Sequence, residues 1–228
     1  MRSPGMAPAA ARRSRFLAWS SCTIPSADAG RGTIGIMGGT FDPVHNGHLA
    51  AARQLRDLAD LDQVWLMPNA QPPHRSDPPL APAEDRMRMV ELAVGQQPGL
   101  QASRLEVDRG NVSYTIDTVR ELARRFPGQR FELLLGSDAA LQIRAWHDVA
   151  ALLAEASFVI FNRPETSLAP QTMHELGFAP ARTRVVHLDT PAIAAHQIRD
   201  RLARGSAIDD LVPAAVAEYI QAHGLYRP

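Results

Sequence analysis

Thr33-Ile34-Gly35-Ile36-Met37-Gly38-Gly39-Thr40-Phe41-Asp42-Pro43-Val44-His45-Asn46-Gly47-His48 is the stretch whose reading decides the fold. It opens as a short apolar run, breaks at two glycines, and passes into helical periodicity over Gly47–Asp60. Leu49, Ala52, Leu55, Leu58 and Ala59 fall on one side of that helix, the spacing of a face packed against a sheet. Paired glycines let a backbone pass close to an anion, and the helix start that follows offers unpaired N–H groups and partial positive charge. The segment therefore predicts a phosphate site at the carboxyl end of a first strand. His45 and His48 are three residues apart, so at a first helical turn both imidazoles can face the loop. A paired, partly protonated imidazole stabilises charge that develops on a transferring phosphorus or its leaving group. The same residues also suit capping or a plain surface role. The spacing could ligate a metal too, although no glutamate follows as in HExxH and no third ligand is evident.

Outward from this segment, short apolar runs alternate with helical patterns, which is the reading for βα units and a parallel sheet. Strands are expected at Thr33–Met37, Val64–Pro68, Leu100–Val107, Phe131–Leu135, Phe158–Phe161 and Val185–Leu188. Helices are expected at Glu84–Val94, Thr115–Phe126, Trp146–Glu155, Ala195–Arg204 and Pro213–His223. Pro82 with Glu84 and Asp85 marks one helix start, with a preset φ and acids at the positive dipole end. The fold class is α/β: a Rossmann-like, doubly wound parallel sheet with helices on both faces and a helical C-terminal end. In such sheets ligands sit beyond the carboxyl ends of the strands, so chemistry is sought just after strands.

Composition narrows the function classes. The 228 residues, 45% of them hydrophobic, suffice for one generous domain with a real core. Charges balance at 24 against 24, without the basic excess of a nucleic-acid binder. Every basic residue is arginine; the absence of lysine excludes Schiff-base chemistry and a Walker A loop. Phosphate must therefore be met by arginine, histidine or backbone N–H groups. The single cysteine, Cys22, cannot form an internal disulfide, and no apolar run approaches the ~20 residues of a membrane span. The cytoplasm is the expected compartment, and the spacing of Cys and His suggests no structural metal. Residues 1–32 read as a disordered basic extension: Arg2, Arg12, Arg13, Arg15 and Arg31 face only Asp28. A transit peptide or a mis-assigned start would give the same composition. Residues 33–228 read as one doubly wound α/β domain.

The eleven residues Gly38 to His48, GGTFDPVHNGH, resemble the signature of the HxGH nucleotidyltransferase superfamily. Further matches point to its bacterial-type nicotinate-mononucleotide adenylyltransferase branch. They are Pro68-Asn69 with Gln71-Pro72-Pro73-His74-Arg75, Ser113-Tyr114-Thr115, Gly136-Ser137-Asp138, Ala145-Trp146, Arg163-Pro164, Ile198-Arg199 with Arg201-Leu202, and the closing Gly224-Leu225-Tyr226-Arg227. They run in the family's order from about residue 33 onward.

The resemblance implies a nucleotidyltransferase domain over 33–228 that moves AMP from ATP to nicotinate mononucleotide and releases pyrophosphate, a step of NAD biosynthesis. It implies His45, His48 and Arg199 as the catalytic set, and Gly38, Gly39, Thr40, Phe41, Gly136, Asp138 and Ile193 beside ATP. It implies that Trp146 stacks on the nicotinate ring, for which an indole face suits a cationic pyridinium. Asn69, His74, Arg75 and Thr115 complete the acceptor side. Thr115, at a helix start, supplies a hydroxyl and N–H groups suited to a carboxylate, which points to nicotinate over nicotinamide. Mg²⁺ is expected with the triphosphate, held mainly by phosphate oxygens and water, with no dedicated metal site in the protein. No nucleic-acid or membrane partner is expected, and the sequence leaves the oligomeric state open. One departure stands out: Ala194-Ala195-His196 occupy positions where the family carries hydroxyls, removing side-chain donors to the phosphates while keeping the helix-start N–H groups. Two other readings compete, a sister enzyme acting on pantetheine phosphate and a nucleotide-binding regulator without turnover. Trp146 with the Ser-Tyr-Thr and Pro-Pro-His-Arg runs opposes the first, and retention of both histidines opposes the second.

Overall fold

The computed structural model describes residues 32–73, 78–95, 97–162 and 168–227. The expected extension at 1–32, apart from Gly32, and the expected acceptor residues His74 and Arg75 lie outside the described residues. Six strands, β1 (Thr33–Gly39), β2 (Gln63–Pro68), β3 (Leu100–Ala102), β4 (Arg130–Gly136), β5 (Phe158–Asn162) and β6 (Thr183–His187), form one sheet in the order β3-β2-β1-β4-β5-β6. Every pair is parallel. The chain walks outward from β1 through β2 to β3, then crosses back to β4 and walks the other way. The direction reverses between β1 and β4, and it is at this switch that the carboxyl ends open a crevice.

Side-chain alternation explains why both faces are covered. In β2, Val64 and Leu66 point into one core while Trp65 and Met67 point into the other; in β5, Val159 opposes Phe158 and Ile160. The first core is closed by α1 (Asn46–Leu58), α2 (Ala83–Val94), α8 (Ala195–Ala203) and α9 (Ala214–Ala222). The second is closed by α3 (Leu105–Arg109), α4 (Thr115–Arg125), α5 (Ser137–Leu141), α6 (Val149–Glu155) and α7 (Pro170–Glu175). Of the face expected of α1, Leu49, Ala52, Leu55 and Ala59 are buried, burying Leu55 alone contributing about 1.5–3 kcal/mol, whereas Leu58, the last residue of the helix, is 56% exposed.

Three expectations need correction. The strand expected over Leu100–Val107 stops at Ala102, and Leu105–Arg109 is helical. That turn ends at Gly110, whose φ of 74° makes it a left-handed C-cap, and Leu105, Glu106 and Val107 pack inward as helical residues. The helix expected from Trp146 begins at Val149, because Asp148 takes φ 47° and Ile143–Ala145 forms a separate 3-10 turn. Helices α5 and α7 were not expected at all; both are too short to show a 3.6-residue period.

Candidate active site

The loop between β1 and α1 lies at the switch point. Asn69 N–H donates to the Gly39 carbonyl (3.0 Å), which extends the β1–β2 pairing past the strands and joins their loops. A side chain at Gly38 would meet no atom within 4 Å, so this backbone borders open space where a ligand can approach. His45 is the N-cap of α1 and His48 its third residue. Their rings stack with centroids 3.6 Å apart and planes 25° apart. The His45 backbone N–H donates to Nδ1 of His48 (3.2 Å). An imidazole nitrogen that accepts cannot carry the proton, so the neutral His48 ring is protonated on Nε2. Capping and pairing are thus one arrangement, and the helix start holds the two imidazoles together. Phe41, buried, meets His48 edge-on at 5.0 Å.

Gly47 leaves room for this stack. A Cβ there would come within 3.1 Å of Nδ1 and 3.2 Å of Cε1 of His45, and 3.4 Å of the Pro191 carbonyl. The same distances place the Pro191 carbonyl, in the segment leading into α8, beside Gly47, the residue between Asn46 and His48. Ile193 sits in that segment, half-buried, and Arg199 in α8 donates from Nη1 to the Asp42 carbonyl (2.7 Å). His45, His48, Phe41 and Arg199, scattered over 159 positions, are therefore joined through one loop. Where hydroxyls were expected, α8 starts at Ala195; the Ala194 N–H donates to Gln197 Oε1 (3.2 Å), and His196 is exposed.

Beside the loop lies a cavity of about 280 Å³, walled by Gly38, Gly39, Thr40, Asn69, Thr115 and Trp146, all expected site residues. Pro72, Pro73, Ser113, Tyr114 and His147 complete much of the rim, and Tyr114 stacks on His147 at 4.2 Å. Trp146 is half-buried; it packs against the second core and also lines the cavity. Gly136 and Asp138 sit at the end of β4, across the switch from β1. Gly136 is the N-cap of α5, and Asp138 is exposed in its first turn.

Two polar residues at the site escaped the sequence reading. Arg86 in α2 is 1% exposed, and its guanidinium donates to the carbonyls of Thr40 (2.7 Å), Ala70 (3.1 Å) and Ala81 (3.2 Å) and to Asn69 Oδ1 (3.3 Å). One buried cation thus ties the loop after β1 to the loop after β2. A signal existed: Arg86 is in phase with Met89, Val90 and Ala93, so the charge lies on the apolar stripe of α2. Glu106 lines the cavity floor, accepting from the Thr118 hydroxyl (2.6 Å), while Arg109 donates to Thr118 (2.9 Å) and to Glu121 (3.1 Å). Burial pushes the Glu106 carboxyl above its usual range, opposed by hydrogen bonds from Thr118 and Ser113 and by the charge of Arg109.

Among the described residues no group of three or more His, Cys, Asp or Glu is placed to hold a metal ion, and no helix is long and apolar enough to cross a membrane. A doubly wound sheet with a glycine loop and a histidine-capped helix at its switch point defines a nucleotide-handling α/β enzyme. Residues 36–201 match the cytidylyltransferase-like family. A protein of Moorella thermoacetica named "Probable nicotinate-nucleotide adenylyltransferase" is 41% identical over 206 residues, covering 86% of this chain and 93% of its own length. One of the same name from Corynebacterium kroppenstedtii is 37% identical over 195 residues, covering 86% and 91%. In fold, the Plasmodium falciparum nicotinic acid mononucleotide adenylyltransferase solved with NaAD superposes with a TM-score of 0.72 at 20% identity, over 86% of this chain and 98% of that one. The chain belongs to the cytidylyltransferase-like family and, within it, to the nicotinate-nucleotide adenylyltransferases.

Proposed function

We propose that residues 33–228 form a nucleotidyltransferase domain that transfers the adenylyl group of ATP to nicotinate mononucleotide, yielding nicotinate adenine dinucleotide and pyrophosphate. The observation that carries the proposal is the stacked His45–His48 pair at the sheet's switch point, beside a cavity lined by Trp146 and Thr115. In the reaction a 5′-phosphate oxygen of the mononucleotide attacks the α-phosphorus of ATP. The new P–O bond forms as the bond from the α-phosphorus to the α–β bridging oxygen breaks, and that electron pair leaves with pyrophosphate. Since a phosphate monoester is largely a dianion at neutral pH, no base need remove a proton from the nucleophile. What the protein must supply is alignment and charge stabilisation. His48 supports this as a donor through Nε2–H, held in that tautomer by the His45 amide. Arg199 adds fixed positive charge near the same loop.

Mg²⁺ enters as part of the ATP substrate, held by phosphate oxygens and water. Trp146 offers the face on which the pyridinium stacks, and the start of α4 at Thr115 meets the carboxylate; to the mononucleotide phosphate we assign Asn69 and, from the sequence match alone, His74 and Arg75. The cytoplasm is the compartment we assign, and neither nucleic acid nor membrane is a partner. The test is pyrophosphate release from Mg-ATP with nicotinate mononucleotide, nicotinamide mononucleotide or pantetheine phosphate as acceptor. Nicotinate mononucleotide should be preferred; turnover with pantetheine phosphate instead would assign the chain to a sister activity, and none with any acceptor would favour a regulator.

A further inference from the structure

The C-terminal Gly224-Leu225-Tyr226-Arg227 run is so far only a point of resemblance, yet it ends in the middle of the site. Tyr226 donates its hydroxyl to Oδ1 of Asp42 (2.8 Å), 184 positions earlier in the chain. Asp42 is 3% exposed and gathers three further donors. Its carboxylate accepts the N–H groups of Leu80 (2.9 Å) and Ala81 (3.1 Å), and its carbonyl accepts Nη1 of Arg199 (2.7 Å). Burial, and then the negative charge and hydrogen bond of Asp42, push the Tyr226 phenol well above its ordinary value, so it remains a donor across the working pH range.

Asp42 adjoins the reacting groups on both sides. Phe41, which meets His48 edge-on, holds φ at 50°, a left-handed state that a bulky residue keeps only where its surroundings enforce it. On the other side His45 lies three residues after Asp42. A movement of Asp42 therefore displaces the Phe41–His48 contact and Arg199 together. The tail does not depend on this hydroxyl for docking. Tyr219 donates to Asp85 Oδ1 (2.8 Å), the Leu225 N–H bonds to the Ile220 carbonyl (3.1 Å), and Leu225 and the Tyr226 ring pack on the first core.

We propose that Tyr226 is a positioning residue for adenylyl transfer, its hydroxyl acting through Asp42 to hold the histidine loop and Arg199 in register. The proposal rests on the reaction proposed above. A positioning residue of this kind changes the rate of the chemical step more than the binding of either substrate.

The test compares Tyr226→Phe with Tyr219→Phe in the full chain. Each deletes one phenol–carboxylate hydrogen bond, and only the first lies at the site. Expected for Tyr226→Phe is a fall in kcat of roughly tenfold, as for a reacting geometry displaced by a fraction of an ångström, with both KM values within about twofold of the parent. Both substitutions should lower Tm by a similar amount, and Tyr219→Phe should leave kcat at the parental level. The ring resonances of His45 and His48, read by NMR without substrates, should move in Tyr226→Phe and stay in place in Tyr219→Phe, whose own stacking partner is the distant His223. Parental kcat and unmoved resonances in Tyr226→Phe would overturn the proposal, as would equal effects of the two substitutions on kcat. An inactive parent would instead refute the reaction, and the resonances would still decide the role of Tyr226.

Discussion

Replacing Gly47 by alanine separates the needs of the fold from those of the histidine pair. Alanine is the better helix former by up to about 1 kcal/mol in a helix interior, less in a first turn, and Gly47 does not occupy a left-handed backbone state that alanine would strain. Stability should therefore hold. The added Cβ, however, would lie 3.1 Å from His45 Nδ1, where ordinary contact begins at 3.4 Å, so the ring must recede by about the difference, ~0.3 Å. His48 is stacked on this same ring at a centroid distance of 3.6 Å, so the displacement should reach the second ring. If a misplacement of 1 Å costs about 10²-fold, a shift of ~0.3 Å in both rings costs roughly four- to tenfold in kcat. Steady-state pyrophosphate release at saturating ATP and nicotinate mononucleotide, beside a thermal melt, reads both quantities. A Tm within about 2 °C of the parent with a kcat four- to tenfold lower is expected. Unchanged kcat would show that the spacing of the two imidazoles does not limit the reaction, and the reasoning would fail.

Trp146→Ala should raise KM for nicotinate mononucleotide by roughly five- to thirtyfold, the loss of one aromatic face against a cation, and leave KM for ATP alone; equal changes in both constants in steady-state kinetics would refute the stacking role. For Glu106 the sign follows from burial. Its folded pKa is raised above the ordinary 4.5, so the stability linked to this proton is complete below that pH and is lost as pH rises through the folded value. Glu106→Gln removes the loss, so its Tm relative to the parent should climb between about pH 4 and pH 7. A difference in Tm that stays flat or falls over that range in paired melts would contradict a raised carboxyl.

Much of this architecture was legible because its signals are periodic or local. The apolar stripe of α1 and the run Thr33–Met37 before Gly38 place a strand, a glycine loop and a helix without reference to anything distant. His45 and His48 were readable for the same reason, since three residues on one helical turn must be neighbours. What stayed hidden depends on tertiary contact. The strand pattern of Leu100–Val107 fails because Leu105 and Val107 are buried by a helical turn that ends at Gly110, and alternation cannot distinguish the two over so short a run. Arg86 looked like an ordinary charge on a helix; that it meets the carbonyls of Thr40 and Ala70 depends on two loops brought together by the β1–β2 pairing. Tyr226 and Asp42, at opposite ends of the domain, become partners only once the sheet has reversed direction.

The most direct measurement is single-turnover adenylyl transfer by His48→Ala at saturating Mg-ATP and nicotinate mononucleotide, with ATP affinity determined separately. Loss of one preorganised donor to a developing negative charge lowers the rate of the chemical step by roughly 10²–10³-fold while ATP affinity changes by only a few-fold. A single-turnover rate close to that of the parent would contradict the assignment of the stacked imidazoles to the chemical step.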